Sequence, residues 1–258
     1  MKYKLEVGAR TVEDTIAAWK GGADRVELYV SPAEGALTPS LGLAQAAIAT
    51  RKELGSNLGL FVMIRPRAGD FLYSDYDFDI MLRDTEIMFE AGADGFIFGV
   101  ITQDGELDLP RMRELIKRCP GRKITLHRAF ESVRSPERTL EQAADLGVHY
   151  VFTGGPPPYG RWGDNQIPKL IEQAAGRLKI VIAVGGQFKT PDLPWLIQAT
   201  GATEYHIING YRKRPSAMKF AYGAKADEQD YLQKTLPTIE FLEEKAVREL
   251  RDLFDQCE

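Results

Sequence analysis

A single (β/α)8 TIM barrel of the α/β class is the fold this sequence predicts, and three observations lead to it. Short apolar strands alternate with helical segments along the whole chain. A glycine corner recurs where a helix hands over to a strand, as at Gly22-Ala23-Asp24, Gly92-Ala93-Asp94, Gly147-Val148 and Gly201-Ala202. The chain has 258 residues, and barrels of this type take about 250 as one unit.

The elements follow in order. Residues 3–7 read as the first strand. Thr11 caps a helix over Val12 to Lys20, with Asp14 in its first turn where a carboxylate faces the positive helix end. Residues 25–30 form the second strand. An alanine-rich helix covers Leu41 to Leu54, and residues 59–64 return as the third strand. Asp75 to Ala91 is amphipathic, with Phe78, Met81, Leu82, Ile87 and Met88 near helical spacing. Strands at 95–100 and 122–127 follow. Ser135-Pro136-Glu137 opens a helix with a cap and a proline at its first position. Strands at 149–153, 178–184 and 203–208 complete the set of eight. Residues 211–235 read as a long loop, and 236–258 as a charged C-terminal helix that closes the barrel. No Pro-, Gly- or Ser-rich linker divides residues 1–258, which read as one domain. The rival fold is an open doubly wound sheet. No Gly-x-Gly-x-x-Gly follows the first strand, so no nucleotide cofactor is expected.

The bulk numbers exclude several functions. The residues are 44% hydrophobic and 27% charged, ordinary for a globular protein, and the net charge is −4. That balance gives no electrostatic case for nucleic acid or an anionic membrane. No apolar run approaches the roughly 18 residues that span a bilayer. The first residues read as a strand rather than a signal peptide. Two cysteines, Cys119 and Cys257, build no disulfide framework and point to a reducing compartment, so the expected location is cytoplasmic.

Side chains alternate across a strand, and the helix-facing side of a barrel strand must be apolar. Opposite Leu5 and Val7 stands Glu6; opposite Val26 and Leu28 stands Glu27, with Arg25 and Tyr29. The same parity turns Arg65, His127 and His206 inward. Apolar strands that deliver charge at their carboxyl ends, as in Phe61 to Phe71 and in Leu126-His127-Arg128, are how parallel α/β enzymes build sites. Glu6, Glu27 and His127 are the candidate acid–base groups. Arg65, Arg67, Asp70 and Arg128 are candidates for holding a substrate, with the arginines set to grip a carboxylate or phosphate. His206, Asn209, Gly185 and Gly186 join them. The last two lie after the seventh strand, where barrels commonly present bare amides to a phosphate. The stiff loop Thr153 to Gly160 is a candidate wall, with an ordinary crossover loop as the equal alternative. For any one of these residues an internal ion-pair network is as good an account as catalysis; for the set it is weaker.

These motifs resemble the copper homeostasis protein CutC family along nearly the whole chain. The resemblance rests on Leu5-Glu6-Val7, Gly22 to Leu28, Glu34-Gly35-Ala36-Leu37-Thr38-Pro39-Ser40, Phe61 to Phe71 with Tyr73-Ser74, Gly92 to Gly99, and His127-Arg128-Ala129-Phe130. Gly185-Gly186 and Glu204-Tyr205-His206 extend it. The family implies a (β/α)8 barrel, a homo-oligomer, and copper binding in cytoplasmic copper handling. It also implies cysteine ligands after the first Glu-Val and the second Glu-Leu. Here those positions are Gly8 and Tyr29. Copper(I) prefers thiolate and thioether ligands, and a Glu-rich, His-poor surrounding suits a harder ion. Three functions follow as expectations: a copper-handling protein; an enzyme (lyase, isomerase or hydrolase) acting on a small anionic metabolite; or a non-catalytic barrel whose charges only fill its lumen. The expected partner is a small anion or a metal ion.

Overall fold

Eight parallel strands close on themselves in chain order: β1 (Lys4–Ala9), β2 (Arg25–Leu28), β3 (Gly59–Met63), β4 (Gly95–Phe98), β5 (Lys123–Leu126), β6 (Tyr150–Thr153), β7 (Lys179–Val184) and β8 (Glu204–Ile207), with β8 paired to β1. The structure is a computed structural model and describes residues 2–163, 165–217 and 238–257. Helices α1 (Val12–Gly21), α2 (Leu41–Glu53), α3 (Asp75–Ala91), α4 (Leu109–Arg118), α5 (Pro136–Asp145), α6 (Gln166–Ala174), α7 (Leu193–Thr200) and α8 (Glu244–Gln256) stand between and after them. Each of the eight expected strands forms close to its expected bounds.

Local chemistry explains the boundaries. The Thr11 hydroxyl accepts from the Asp14 amide at 3.0 Å and starts α1. Ser74 and Asp77 cap α3 reciprocally. Gly22 (φ 88°) and Gly92 (φ 96°) end α1 and α3 in the left-handed conformation, which glycine adopts without steric cost.

Strand alternation divides the apolar residues into two cores. Leu5, Val7, Val26, Leu28, Leu60, Val62, Phe96, Phe98, Ile180 and Ile182 belong to the layer between sheet and helices. Tyr29, Phe61, Met63, Ile97, Phe152, Val181 and Ala183 form a second, smaller cluster inside the barrel. The inner cluster leaves one side of the lumen to charged groups.

One expectation about the chain's end needs correcting. Thr238–Leu242 is not helical. It forms strand β10, antiparallel to β9 (Tyr211–Pro215), and the helix begins only at Glu244. Residues 218–237 of the expected loop and helix lie outside the described residues. The cause of the strand pair is a tertiary partner, the buried carboxylate of Asp14. It accepts from the Leu242 amide at 2.8 Å, the Arg10 amide at 2.9 Å and the Tyr211 hydroxyl at 3.0 Å. The arginine of Arg10 stacks on the Tyr211 ring at 3.5 Å and pairs with Glu240 at 2.9 Å. The hairpin is thus pinned to the carboxyl end of β1, and α8 packs against α1 and α7 as the last barrel helix. Among the described residues no helix is long and apolar enough to cross a membrane.

Asp14→Ala leaves these donors without their acceptor, and each buried donor left unpaired costs about 1–3 kcal/mol. We expect a loss on the order of 3 kcal/mol in denaturant unfolding; a loss within experimental error would remove Asp14 as the anchor of the hairpin.

Candidate functional site

The charged side of the lumen is built by β8, β1 and β2. Register places Glu6 beside Arg25 and His206, and Gly8 beside Glu27. The carboxylate of Glu6 is fully buried between two cations. One oxygen pairs with Arg25 Nε; the other lies 2.7 Å from His206 Nδ1. Arg25 passes on to Glu204 at 2.7 Å and is faced by the Tyr150 ring at 4.3 Å. On its far side, His206 Nε2 lies 3.2 Å from Glu27 Oε2. Reading towards the mouth, the order is Glu204, Arg25, Glu6, His206, Glu27. Charge alternates along the whole chain, as it must where water cannot screen it.

The protonation states follow from position. Burial works to raise Glu6, but Arg25 and His206 outweigh it and hold the carboxyl below its ordinary range. Burial works to lower His206, but the carboxylates of Glu27 and Glu6 outweigh it and hold the imidazole up. Glu27 has no arginine. Burial dominates there and, with Glu6 nearby and against the attraction of His206, pushes it up to about 7. Glu27 therefore carries the proton that is labile near neutrality, beside a His206 ring held towards its charged form and fixed from behind by Glu6.

A cavity of about 260 Å³ opens above this pair at the carboxyl ends of the strands. Glu27 and His206 form one wall, with Tyr29, Met63 and Phe152 as apolar surface, and Arg65, His127, Arg128 and Gly185 around the remainder. His127, on the residue after β5, stands across the closed barrel from the β8–β1–β2 wall. Its Nδ1 accepts the Ala129 amide at 3.2 Å, and Phe71 covers the ring at a centroid distance of 4.7 Å. Burial and the charge of Arg65 lower it to about 3, so the imidazole is neutral and carries its proton on Nε2.

Not every expected residue reaches the cavity. Glu6 lies beneath it as support. Arg65 lines it, yet its Nη atoms donate to the carbonyls of Glu34, Gly35, Ala36 and Gly69 at 2.7–3.2 Å, so they clip the loops together. Arg128 stands at the rim and is paired with Glu131 at 2.6 Å. Arg67 and Asp70 do not line the cavity. They face each other at 3.1 Å on the outer loop, where Arg67 also bonds Asp77, because that loop needs its own carbonyls and the α3 cap satisfied. Gly186 and Asn209 are likewise off the wall; Asn209 donates to the Phe188 carbonyl at 3.0 Å and ties the β7 loop to the β8 loop. The Thr153–Gly160 loop does not wall the cavity either. It folds over β6 and β7, with Tyr159 packed against Phe188 and Trp195. The expected three-arginine clamp is therefore not assembled. Strand alternation turns Arg25 inward beside Glu27 and Glu204 inward beside His206, but it does not show that the two pair with each other at the deep end of the network.

Gly8 and Tyr29 are one feature. A Cβ on Gly8 would lie 2.7 Å from the Tyr29 ring, so the missing side chain on β1 is the space the phenol fills. A model of the CutC family matches residues 3–210.

The chain belongs to the CutC family.

A CutC protein of Bacteroides thetaiotaomicron is 42% identical over 206 residues, covering 80% of each chain. The human copper homeostasis protein cutC homolog is 38% identical over 237 residues, covering 90% of this chain and 84% of its own. The crystal structure of CutC from Streptococcus agalactiae superposes with a TM-score of 0.69 at 25% identity, over 80% of this chain and 98% of that one.

The copper suggested by the CutC name can be tested against the donors present. Glu6, Glu27 and His206 bring oxygen and nitrogen atoms within 4.8 Å of one another. Their arrangement is that of a relay, since each ring nitrogen of His206 faces a different carboxylate. An ion on Nε2 would meet Glu27 with Glu6 behind the ring. Met63 is the thioether on the wall. Cys119 is buried between α4 and β5, at the opposite rim, where burial pushes its thiol up to about 12. Cys257 follows α8. This donor set does not fit copper(I).

Two outcomes follow. The folded protein holds a proton on Glu27 between its ordinary 4.5 and about 7, where the unfolded chain has released it. Stability is therefore fully supported below that window and falls as pH rises through it. Glu27→Gln should flatten this limb in melting temperatures measured from pH 5 to 8. Gly8→Cys should destabilise by about 1–3 kcal/mol through overpacking, and Tyr29→Ala in the same chain should relieve most of it; simple additivity would show that the two positions are independent.

Proposed function

We propose that the barrel mouth is the active site of an enzyme that moves a proton to or from a small anionic metabolite, with Glu27 as the acid–base group. The observation that carries this reading is the clasp of His206 between two buried carboxylates at 2.7 and 3.2 Å, with Glu27 the one that faces the cavity. A network needed only for packing would pair its last carboxylate with a fixed cation, as Glu6 is paired with Arg25. Leaving Glu27 against a titratable ring and an open cavity is costly for stability and useful for chemistry at neutral pH. Glu6 orients the ring and stabilises its charge, as a carboxylate behind a histidine does in hydrolases.

The substrate's place follows from polarity. The β8–β1–β2 wall is acidic, whereas Arg65 after β3 and Arg128 after β5 bring guanidinium groups to the rest of the lining, Arg128 with Glu131 as its partner. A molecule with one anionic end would lie across the mouth with that end towards Arg128 and Gly185. The cavity suits a small metabolite rather than a polymer. Two unpaired cysteines, one of them buried, support a role in the cytoplasm. Copper homeostasis is what the names of relatives say. For a direct part in it through copper(I) coordination, this chain offers at the site no thiolate and a single thioether, Met63.

A turnover screen on a pool of small metabolites, read by mass spectrometry, tests the proposal. Wild-type protein should deplete at least one anionic compound, and Glu27→Gln should slow that reaction by about 10²–10⁴-fold while remaining folded. Equal turnover by the variant would overturn the role of Glu27. In a copper(I) competition titration we expect affinity no tighter than micromolar, unchanged by His206→Ala; tight binding lost in that variant would restore the copper reading.

A further inference from the structure

His127 has a role that the fold does not explain. Its Nδ1 is used as the cap of the 3₁₀ turn over Arg128–Ser132, accepting from the Ala129 amide at 3.2 Å. That bond fixes the tautomer and leaves the proton on Nε2. Nε2 is buried and has no hydrogen-bond partner among the described residues. A buried donor left unpaired costs about 1–3 kcal/mol. The ring belongs to the cavity wall, on the residue after β5, and the Glu27–His206 pair lines the same cavity from β2 and β8, across the barrel. A neutral imidazole with a free N–H on one side and a carboxylate base on the other is a matched pair for a ligand whose oxygen gains charge as its neighbouring carbon loses a proton.

We infer that the substrate is a small carbonyl compound, seated with its carbonyl oxygen on His127 Nε2–H and its α-carbon at Glu27, and that the reaction begins by removal of the α-proton. This rests on the proton-transfer reading above and narrows it from any acid–base reaction to enolisation. The ionised Glu27 carboxylate takes the α-proton. The C–H electron pair becomes the new C=C bond, and the carbonyl π pair moves onto oxygen. That oxygen accepts the His127 N–H, which is worth more to the enolate than to the ketone because the charge is greater. Return of the proton to the same carbon regenerates substrate. In a hydroxyketone the neighbouring hydroxyl can first pass its proton to the enolate oxygen; return of the Glu27 proton to the former carbonyl carbon then gives the isomer, so no oxidant or further reactant is needed. The neutrality of His127 matters here: beside Arg65 it donates without surrendering its proton.

The test is exchange of α-protons for deuterium in D₂O, followed by NMR, with dihydroxyacetone phosphate, dihydroxyacetone, pyruvate and 2-oxobutyrate as probes. We expect the wild-type protein to exchange at least one of them. His127→Phe should slow exchange by about 10²–10³-fold without moving the pH midpoint set by Glu27, and His127→Gln, which restores an N–H donor, should recover part of the loss. Glu27→Gln should abolish exchange. If no probe exchanges, or if His127→Phe exchanges at the wild-type rate, the inference is overturned. Should the metabolite screen at the same time reveal turnover that depends on Glu27 but involves no carbonyl, the proton-transfer reading survives alone; loss of both shows that the site does neither.

Discussion

The buried pair of Glu6 and Arg25 is the constraint on which the lumen depends. A carboxylate without any solvent exposure is tolerated only beside a cation, and a buried guanidinium only beside carboxylates. Parallel pairing of β1 with β2 puts the two side chains on neighbouring strands, and pairing of β1 with β8 puts His206 on the other side of the same carboxylate. Once Glu6 is held in this way, the imidazole has one orientation, and Glu27 meets its remaining nitrogen. The position of the cavity's acid is thus a consequence of an ion pair two side chains below it.

The same constraint separates structural from chemical charge. Arg65, Arg67 and Asn209 donate to loop carbonyls and neighbouring caps and hold the mouth in shape. Glu27 is not used in this way, and of His127 only Nδ1 is, as the cap of the turn after β5. One is a carboxyl raised by burial, the other an imidazole kept neutral with an unpaired donor, and both line the same cavity. Environments that push titratable groups in opposite senses within one cavity are the usual physical sign of assigned acid and base roles. The Gly8–Tyr29 contact fits this picture, since the phenol fills that wall and brings no soft ligand.

Much of this was readable from the chain. Period-two alternation in Lys4 to Val7 or Arg25 to Tyr29 assigns faces because a strand has only two, and the glycine corners mark helix ends because few other residues take a positive φ. Those rules placed Glu6, Glu27, His127 and His206 correctly in the lumen. They failed for Arg67 and Asp70, which follow the strand and so have no parity, and for the Thr153–Gly160 loop, whose direction no local pattern sets. Thr238 to Leu242 also escaped. Its strand form comes from Asp14, more than 220 positions earlier in the sequence, and from Tyr211 across the hairpin.

By itself, then, the sequence determined the barrel, the inward residues of each strand and the absence of thiol ligands at the mouth, because each depends on local periodicity or on residue type. Tertiary structure alone decided which charges neutralise one another, which arginines serve loops, and which two groups are left facing an open cavity with altered proton affinity. Those outcomes depend on distances between strands far apart in the chain and on exclusion of water, and neither is written in any short stretch of residues.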